Sequence, residues 1–433
     1  MKIVLINPPL SIDSDMGTGN DIRFFPEGLA VIATVLIKAG YDTNVIDLCR
    51  QPITELDNFS DVDAFGFTGM INQFSSLEQI MPLARSICPN AKIILGGPLV
   101  TSDVELISQL LDYDVAVNGE GEKTIVSLLD NINCPNNADG LTSRTSNGKW
   151  YIAPHEFIDQ KDFVEPNFEL FDVSWYLDGQ IRKHLKESGL NGKIFNNLMI
   201  SRGCARKKNC AFCGQAFGRK IRCKPQLHIK KEVEMWIKSG AEVVRFQDSN
   251  ITLLPQETRD YLFNLLGGFR VSWGGNTRVD AVDPILLDWM FKSGCKTICY
   301  GIESFSPSAL KGVGKGASIK AAKRAIDMTH DAGIHPSAFF LIGLPGETRE
   351  SLLTEVKFAK EENISVIPYI LCPIPGTPIF NVVSTQVTDI RDFLCQCSGW
   401  EEKQINKRKL YINLTDLPDE LLIDTYLELR ELG

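Results

Sequence analysis

Two consecutive α/β units are the fold class that this sequence predicts, and three observations predict it. Apolar, β-branched runs of strand length alternate with segments of helical periodicity through residues 1–130. The same alternation resumes near Asn196 and repeats through six strand–helix units to about Phe380. Clusters rich in glycine and polar residues stand directly after the apolar runs, at the end of a strand where parallel sheets bind ligands. Strands that alternate with helices build parallel sheets covered by helices.

In the first unit Lys2–Asn7 reads as a strand, and Pro26–Ala39 as a helix closed by Gly40. Strands follow at Thr43–Asp47, Ala64–Thr68, Ala91–Leu95 and Val115–Val117, with helices at Ser76–Ser86, Val104–Leu111 and Glu122–Leu129. The ligand-facing candidates are Thr68 and Gly69 after the third strand, Gly96 and Gly97 after the fourth, and Gly119, Glu120 and Glu122 after the fifth. Glycine lets a backbone come close to a large planar or anionic ligand, and it also serves in ordinary turns. The stretch that follows carries a hairpin signal at Ser146-Asn147-Gly148 and an aromatic run, Phe168–Trp175, of the kind that packs domains together.

In the second unit strands are expected at Asn197–Ser201, Val243–Asp248, Val271–Asn276, Thr297–Ile302, His335–Ile342 and Ser365–Leu371. Helices between them include Ile229–Ser239, Pro284–Lys292, Ile319–Ala332 and Arg349–Glu362. The fold reading is therefore α/β: an N-terminal Rossmann-like doubly wound parallel sheet, a partial (β/α)6 TIM-type barrel and a short C-terminal helical tail. Its bounds are 1–135, a linker 136–190, a barrel 191–380 and a tail 381–433. In such a barrel the reactive groups belong at the carboxyl ends of the strands.

The first barrel strand runs into Cys204, Cys210 and Cys213 on one short loop. Three thiolates can hold three irons of a [4Fe–4S] cube and leave the fourth open to a ligand. A zinc knuckle with Cys223 as fourth ligand is the alternative. Arg202, Arg206, Lys207, Lys208, Arg219, Lys220, Arg222 and Lys224 crowd the loop. They read as a solvated basic loop, or as a surface that attracts an anionic substrate or an acidic reductant protein. Cys295, Cys299 and Cys372 read as buried thiols, with Cys372 near the active face.

Composition narrows the class. Across 433 residues, 44% hydrophobic and 23% charged content are those of a globular protein with two or three cores. A net charge of −9 argues against a general nucleic-acid binder, and no apolar run is long enough for a membrane span. The N-terminus lacks the regions of a signal peptide. Twelve cysteines in a chain this long read as metal ligands and buried thiols in a reducing cytoplasm.

The cysteine loop resembles the cluster loop of the radical S-adenosylmethionine (SAM) superfamily. That family spaces its cysteines C-x3-C-x2-C, whereas the first gap here is the five residues Ala205–Asn209. Two extra residues add up to about 7 Å of chain, enough to bulge outward without moving the thiols. The strings INPPL, FPEGLAVIATVLIKAGYDTNVIDL, GFTG, ILGGP and NGEGE resemble the cobalamin-binding domain that precedes many such enzymes. The D-x-H-x-x-G motif of other B12 proteins is absent, and no histidine precedes His155. Any cobalt would then receive no imidazole from this domain, unless the domain has kept the fold and lost the cofactor.

The resemblance implies three cofactors: a [4Fe–4S] cluster, SAM and cobalamin. It places Asp248 at the amino group of SAM, Arg278 at its carboxylate and Glu303 at its ribose hydroxyls or amino group. Asn276 and Ser304 stand beside them, Phe212 lies near the adenine, and the segment around Gly343 lines it. The implied reaction is reductive cleavage of SAM to methionine and a 5′-deoxyadenosyl radical, followed by methylation of an unactivated carbon. A dehydratase, cyclase or rearrangement enzyme without cobalamin is the alternative. The implied partners are a small-molecule or peptide substrate and a flavodoxin- or ferredoxin-type reductant, with neither membrane nor nucleic acid. An RNA-modifying enzyme and a cluster- or cobalamin-binding sensor are weaker readings.

Overall fold

A computed structural model describes residues 1–10, 23–132, 141–144, 150–155, 157–177, 190, 192–206, 208–214, 217–316, 318–397 and 400–433. The first unit is a sheet of β1 (Lys2–Asn7), β2 (Asp42–Asp47), β3 (Ala64–Thr68), β4 (Lys92–Gly96), β5 (Val115–Val117), β6 (Leu141–Arg144) and β7 (Trp150–Tyr151), ordered β2-β1-β3-β4-β5-β6-β7. The first five strands are parallel. Five of the six residues of β1 are buried, as expected for a strand covered on both faces. Ile3, Leu5 and Ile94 pack on one side with Leu29, Ala33, Leu36 and Leu128, from helices Glu27–Lys38 and Thr124–Asp130. Val4, Ile6, Ile93 and Leu95 face the other side with Leu77, Ile80 and Ala84 of helix Phe74–Ile87.

The stretch read as a linker adds to this sheet. Strands β6 and β7 pair antiparallel and extend it past β5, although the Ser146–Gly148 turn lies outside the described residues. The aromatic run does join the two units. Phe168, Phe171 and Tyr176 surround Phe25 of the first unit, with ring centroids 4.9–5.4 Å away, and Trp236 of the second stands 5.4 Å from the same ring.

The second unit opens with β8 (Ile194–Leu198), after which β9 (Ser201–Arg202) and β10 (Arg222–Cys223) pair antiparallel on either side of the cysteine loop. The strand expected at Asn197–Ser201 is thus divided between β8 and β9. Strands β11 (Val243–Phe246), β12 (Ser272–Thr277), β13 (Cys295–Glu303), β14 (His335–Ile342) and β15 (Ser365–Ile370) continue from β8 in a curled, wholly parallel sheet ordered β15-β14-β13-β12-β11-β8. This is the expected six-unit partial barrel.

In the tail, helix Asp419–Glu431 packs on β15. Helix Ile390–Gln396 reaches back to the first unit, where Arg391 pairs with Glu78 and donates to the Leu110 carbonyl at 2.7 Å. Among the described residues no helix is long and apolar enough to cross a membrane.

Candidate active site

Gly203 makes the entry to the cysteine loop. Its φ is +105°, and a Cβ there would strike the Lys220 carbonyl, so only glycine fits. The Cys204 amide donates to Gly218 at 3.2 Å, and the Ala211 amide to Val313 at 2.9 Å. Cys210 is buried, Cys204 is half-buried and Cys213 is exposed. Among the described residues no three His, Cys, Asp or Glu groups stand close enough to hold one metal ion. Cys223 belongs to the core, where burial pushes its thiol up to about 11 and Thr258 is its hydrogen-bond partner.

Asp248 sits directly behind the loop. Its carboxylate accepts from the Ile200 amide at 3.1 Å, the Ser201 amide at 2.7 Å and the Ser201 hydroxyl. Burial raises it to about 6. The sequence resemblance puts Asp248 against the SAM amino group, whereas here both oxygens fix the backbone that leads into the cysteines.

Arg278 lies at the end of β12, where it binds Asp280 through Nε at 2.7 Å. Its guanidinium is held above the usual range first by Asp280 and further by Cys204 and Cys210 as thiolates, so it is within electrostatic reach of the loop. The Arg278–Asp280 pair is partly exposed and worth little, so Arg278 can exchange one carboxylate for another. Asn276 on the same strand accepts from Arg245 at 3.4 Å. Glu303 has a left-handed φ of +73° at an irregularity between β13 and β14. Non-glycine residues held there carry strain, which clusters at functional sites. Lys315 binds its carboxylate at 2.7 Å.

Ser304 is fully buried and donates to Glu355 at 2.9 Å, and the Phe305 amide donates to the same carboxyl at 2.8 Å. Gly343, at φ +98°, gives its amide to Glu347 at 2.8 Å. Burial raises both Glu347 and Glu355, so this pair behind β13 and β14 retains a proton near neutral pH. Phe212 is half-buried against the core. Sequence reasoning missed Lys315 and Glu355, and read Glu347 only as part of the segment around Gly343. An acid on the buried face of helix Arg349–Glu361 is the one local signal that points to Glu355.

The first unit brings its strand ends to the same region. Gly97, at φ +91°, lies so close to Thr68 and Gly69 that a Cβ would come within 2.8 Å of the Thr68 hydroxyl. The Gly119 amide donates to the Thr101 hydroxyl at 3.1 Å. Gly96 differs, since a Cβ there would meet nothing nearer than 3.9 Å. A side chain is therefore accommodated at Gly96 but not at Gly69 or Gly97 without displacement of their neighbours.

Glu120 and Glu122 correct the sequence reading. Both are buried and paired with the second unit: Glu120 with Arg222 and, at 3.0 Å, with Arg202, and Glu122 with Arg202 at 2.7 Å. The Ile158 amide also donates to Glu120 at 2.7 Å. A buried carboxylate so engaged is part of the joint between units and not of an open ligand face. The basic loop is corrected with it. Arg202, Arg222 and Lys224 point inward, Lys224 binding Glu27 at 2.8 Å and Glu232 at 2.6 Å. Lys208, Arg219 and Lys220 remain exposed, and Lys207 lies outside the described residues.

A second joint lies beyond β15. Ile374 packs under Gly214 of the cysteine loop, and Ile379 donates to Ala211 at 3.1 Å. Gly376 presses on the Ser102 carbonyl of helix Pro98–Ser102, just past Gly97. The cysteine loop and the carboxyl ends of the first sheet are thus joined through one set of contacts.

The Radical SAM superfamily model matches residues 198–359, and the B12 binding domain model matches residues 23–129. The chain is a radical SAM protein with a B12-binding domain. This radical SAM chain is 28% identical over 459 residues to an uncharacterized methyltransferase of Pyrococcus horikoshii, covering 98% of the chain and 95% of the relative. It is 26% identical to the anaerobic magnesium-protoporphyrin IX monomethyl ester cyclase of Rubrivivax gelatinosus, covering 91% and 72%. Among solved structures it shares its fold with the radical SAM methyltransferase TsrM from Kitasatospora setae, which has cobalamin and a [4Fe–4S] cluster bound. That match has a TM-score of 0.68 at 18% identity, covering 89% of this chain and 75% of TsrM.

Proposed function

We propose that this radical SAM enzyme is a cobalamin-dependent methyltransferase acting on an unactivated carbon of a small molecule or peptide. The observation that carries the reading is the joint itself: the glycine-lined strand ends of the B12-binding domain meet the three-cysteine loop through Ile374, Gly376 and Glu120. Such contact sets a methyl carrier beside a radical source.

When bound, the cluster supplies the electron that cleaves SAM to a 5′-deoxyadenosyl radical, and cobalamin supplies a carrier for the methyl group. Cys204, Cys210 and Cys213 hold the cluster in this reading. Arg278 takes the SAM carboxylate, exchanging it for Asp280. Glu303, already oriented by Lys315, accepts from the ribose hydroxyls or amino group, with Asn276 beside it. Asp248 and the Glu347–Glu355 pair act as positioning residues, fixing the loop entry and the Gly343 turn. Thr68, Gly69, Gly96, Gly97 and Gly119 would line the cobalamin side, to which residues 1–154 offer no histidine. The exposed Lys208, Arg219 and Lys220 lie within a few residues of the cluster cysteines along the chain and suit an acidic flavodoxin- or ferredoxin-type reductant.

The likeness to a cyclase keeps a second reading, radical chemistry without methyl transfer. Anaerobic purification with cluster reconstitution separates the two. Iron, sulfide and cobalt are counted, and 5′-deoxyadenosine is measured after addition of SAM and reductant. Iron with cobalamin supports the methyltransferase. Iron with no cobalamin uptake from excess overturns it in favour of the second reading.

A further inference from the structure

Outside the site, the least ordinary group of nucleophiles is a pair of thiols beyond β15. Cys372 and Cys397 stand with their sulfurs 3.7 Å apart, although 25 residues separate them. Cys372 is partly exposed, whereas Cys397 is buried at the end of helix Ile390–Gln396. The nearby Cys395 is engaged elsewhere, its thiol donating to Glu78 at 3.0 Å. No three ligating groups converge here among the described residues.

We propose that Cys372 and Cys397 form a reversible dithiol–disulfide site that reacts with small disulfides. A disulfide bond is about 2.05 Å long, so the sulfurs need to close by roughly 1.7 Å, within the reach of side-chain rotation. The accessible Cys372, as thiolate, attacks the small disulfide and displaces one thiolate, giving a mixed disulfide. Cys397, after giving up its proton, attacks the Cys372 sulfur and displaces the second. In balance, two protein thiols and one small disulfide become one protein disulfide and two small thiols. The neighbouring Cys372 and burial both hold the Cys397 thiol in its protonated form, which fits it as the second, resolving sulfur.

The position gives the bond a consequence. Cys372 begins the loop whose Ile374 lies under the cysteine loop and whose Gly376 presses on Ser102. Cys397 ends the helix that Arg391 anchors on Glu78 of the B12-binding domain. Oxidation would therefore stitch together two of the segments that contact that domain.

The test is made on the full chain under anaerobic conditions. The protein is equilibrated with oxidised glutathione, trapped with N-ethylmaleimide, digested and mapped by mass spectrometry. The expected product is a cross-linked peptide pair containing Cys372 and Cys397, two hydrogens lighter than the sum, that dithiothreitol reverses. Cys395→Ser should leave it unchanged, and Cys397→Ser should leave a glutathione adduct on Cys372. Recovery of both thiols alkylated in the parent protein, at glutathione levels that oxidise a reference dithiol, overturns the proposal. A bridge from Cys372 to Cys395 overturns it as well. The deciding measurement is made on the parent protein, so misfolding of a variant does not bear on it.

Discussion

Replacing Glu120 by alanine should destabilise the whole molecule, because the carboxylate is shared by two buried arginines. The side chains of Glu120, Arg202 and Arg222 are 2%, 9% and 6% exposed. Removing one partner of a buried pair typically costs about 3–5 kcal/mol, since the other charge stays buried. Here Arg202 keeps Glu122 at 2.7 Å, and Arg222 keeps the carbonyls of Ile158 at 2.7 Å and Phe217 at 2.8 Å. The loss should therefore fall at the lower end, about 3 kcal/mol. At about 2–4 °C per kcal/mol for a cooperative unit of about 150–250 residues, the size of the barrel, its melting temperature should drop by roughly 6–12 °C. Thermal unfolding followed by intrinsic fluorescence reads this, with Asp288→Ala as the control. Asp288 forms an exposed pair with Lys292 one helical turn away, and its loss should change stability by no more than about 0.5 kcal/mol. A Glu120→Ala melting temperature within about 2 °C of that control would refute the argument that this joint stabilises the molecule.

Four further outcomes follow from the site. Alanine at Cys204, Cys210 or Cys213 should abolish cluster iron and SAM cleavage while Cys223→Ala retains both; zinc in place of iron, with equal loss at Cys223, would reverse the assignment. Arg278→Met and Glu303→Gln should each weaken SAM binding about ten- to a hundred-fold, the worth of one charge-assisted bond of about 1.5–3 kcal/mol, with cluster iron unchanged; titration calorimetry showing parental affinity in both removes them from the site. Gly96→Val should block cobalamin uptake with little loss of stability, whereas Gly97→Val should lower the melting temperature as well, and equal melting losses would show that the two glycines do not differ. Burial raises Glu355 from 4.5 to about 7, so its favourable contribution is full below pH 4.5 and is lost as pH rises to about 7; Glu355→Gln should flatten the fall in melting temperature between about pH 5 and 7, and pH curves parallel to the parent's would rule this out.

Most of the architecture was legible because both sheets follow local rules. Val115–Val117, Ala64–Thr68 and His335–Ile342 carry apolar or β-branched runs bounded by turn residues, and the strands occupy those bounds. The short pieces were not. Strand β9 is only two residues long, held by Asp248 and by its pairing with β10, and no periodicity can reveal it. The site divided along the same line. A residue type shows that Arg278 or Glu303 can bind an anion or accept a proton, but not which neighbour holds it. Asp280 is two residues from Arg278 and Lys315 twelve from Glu303, while Glu120 finds its arginines 82 and 102 residues onward. The acidic NGEGE string looks like a ligand loop until the distant arginines that neutralise it are placed.

That separation along the chain bears on how the molecule is made. During synthesis the first sheet is complete through β5 by Val117, while the cations that neutralise Glu27, Glu120 and Glu122 lie between residues 202 and 224. At about 5–20 residues per second, the B12-binding half waits several seconds on the ribosome with three carboxylates that water alone solvates. The rings that cover Phe25 in the folded protein, Phe168, Phe171, Tyr176 and Trp236, also come later in the chain than β5. Cutting the protein at the apparent domain boundary would leave those carboxylates without their cations for good, so the isolated half should melt at a lower temperature than the same half in the whole chain.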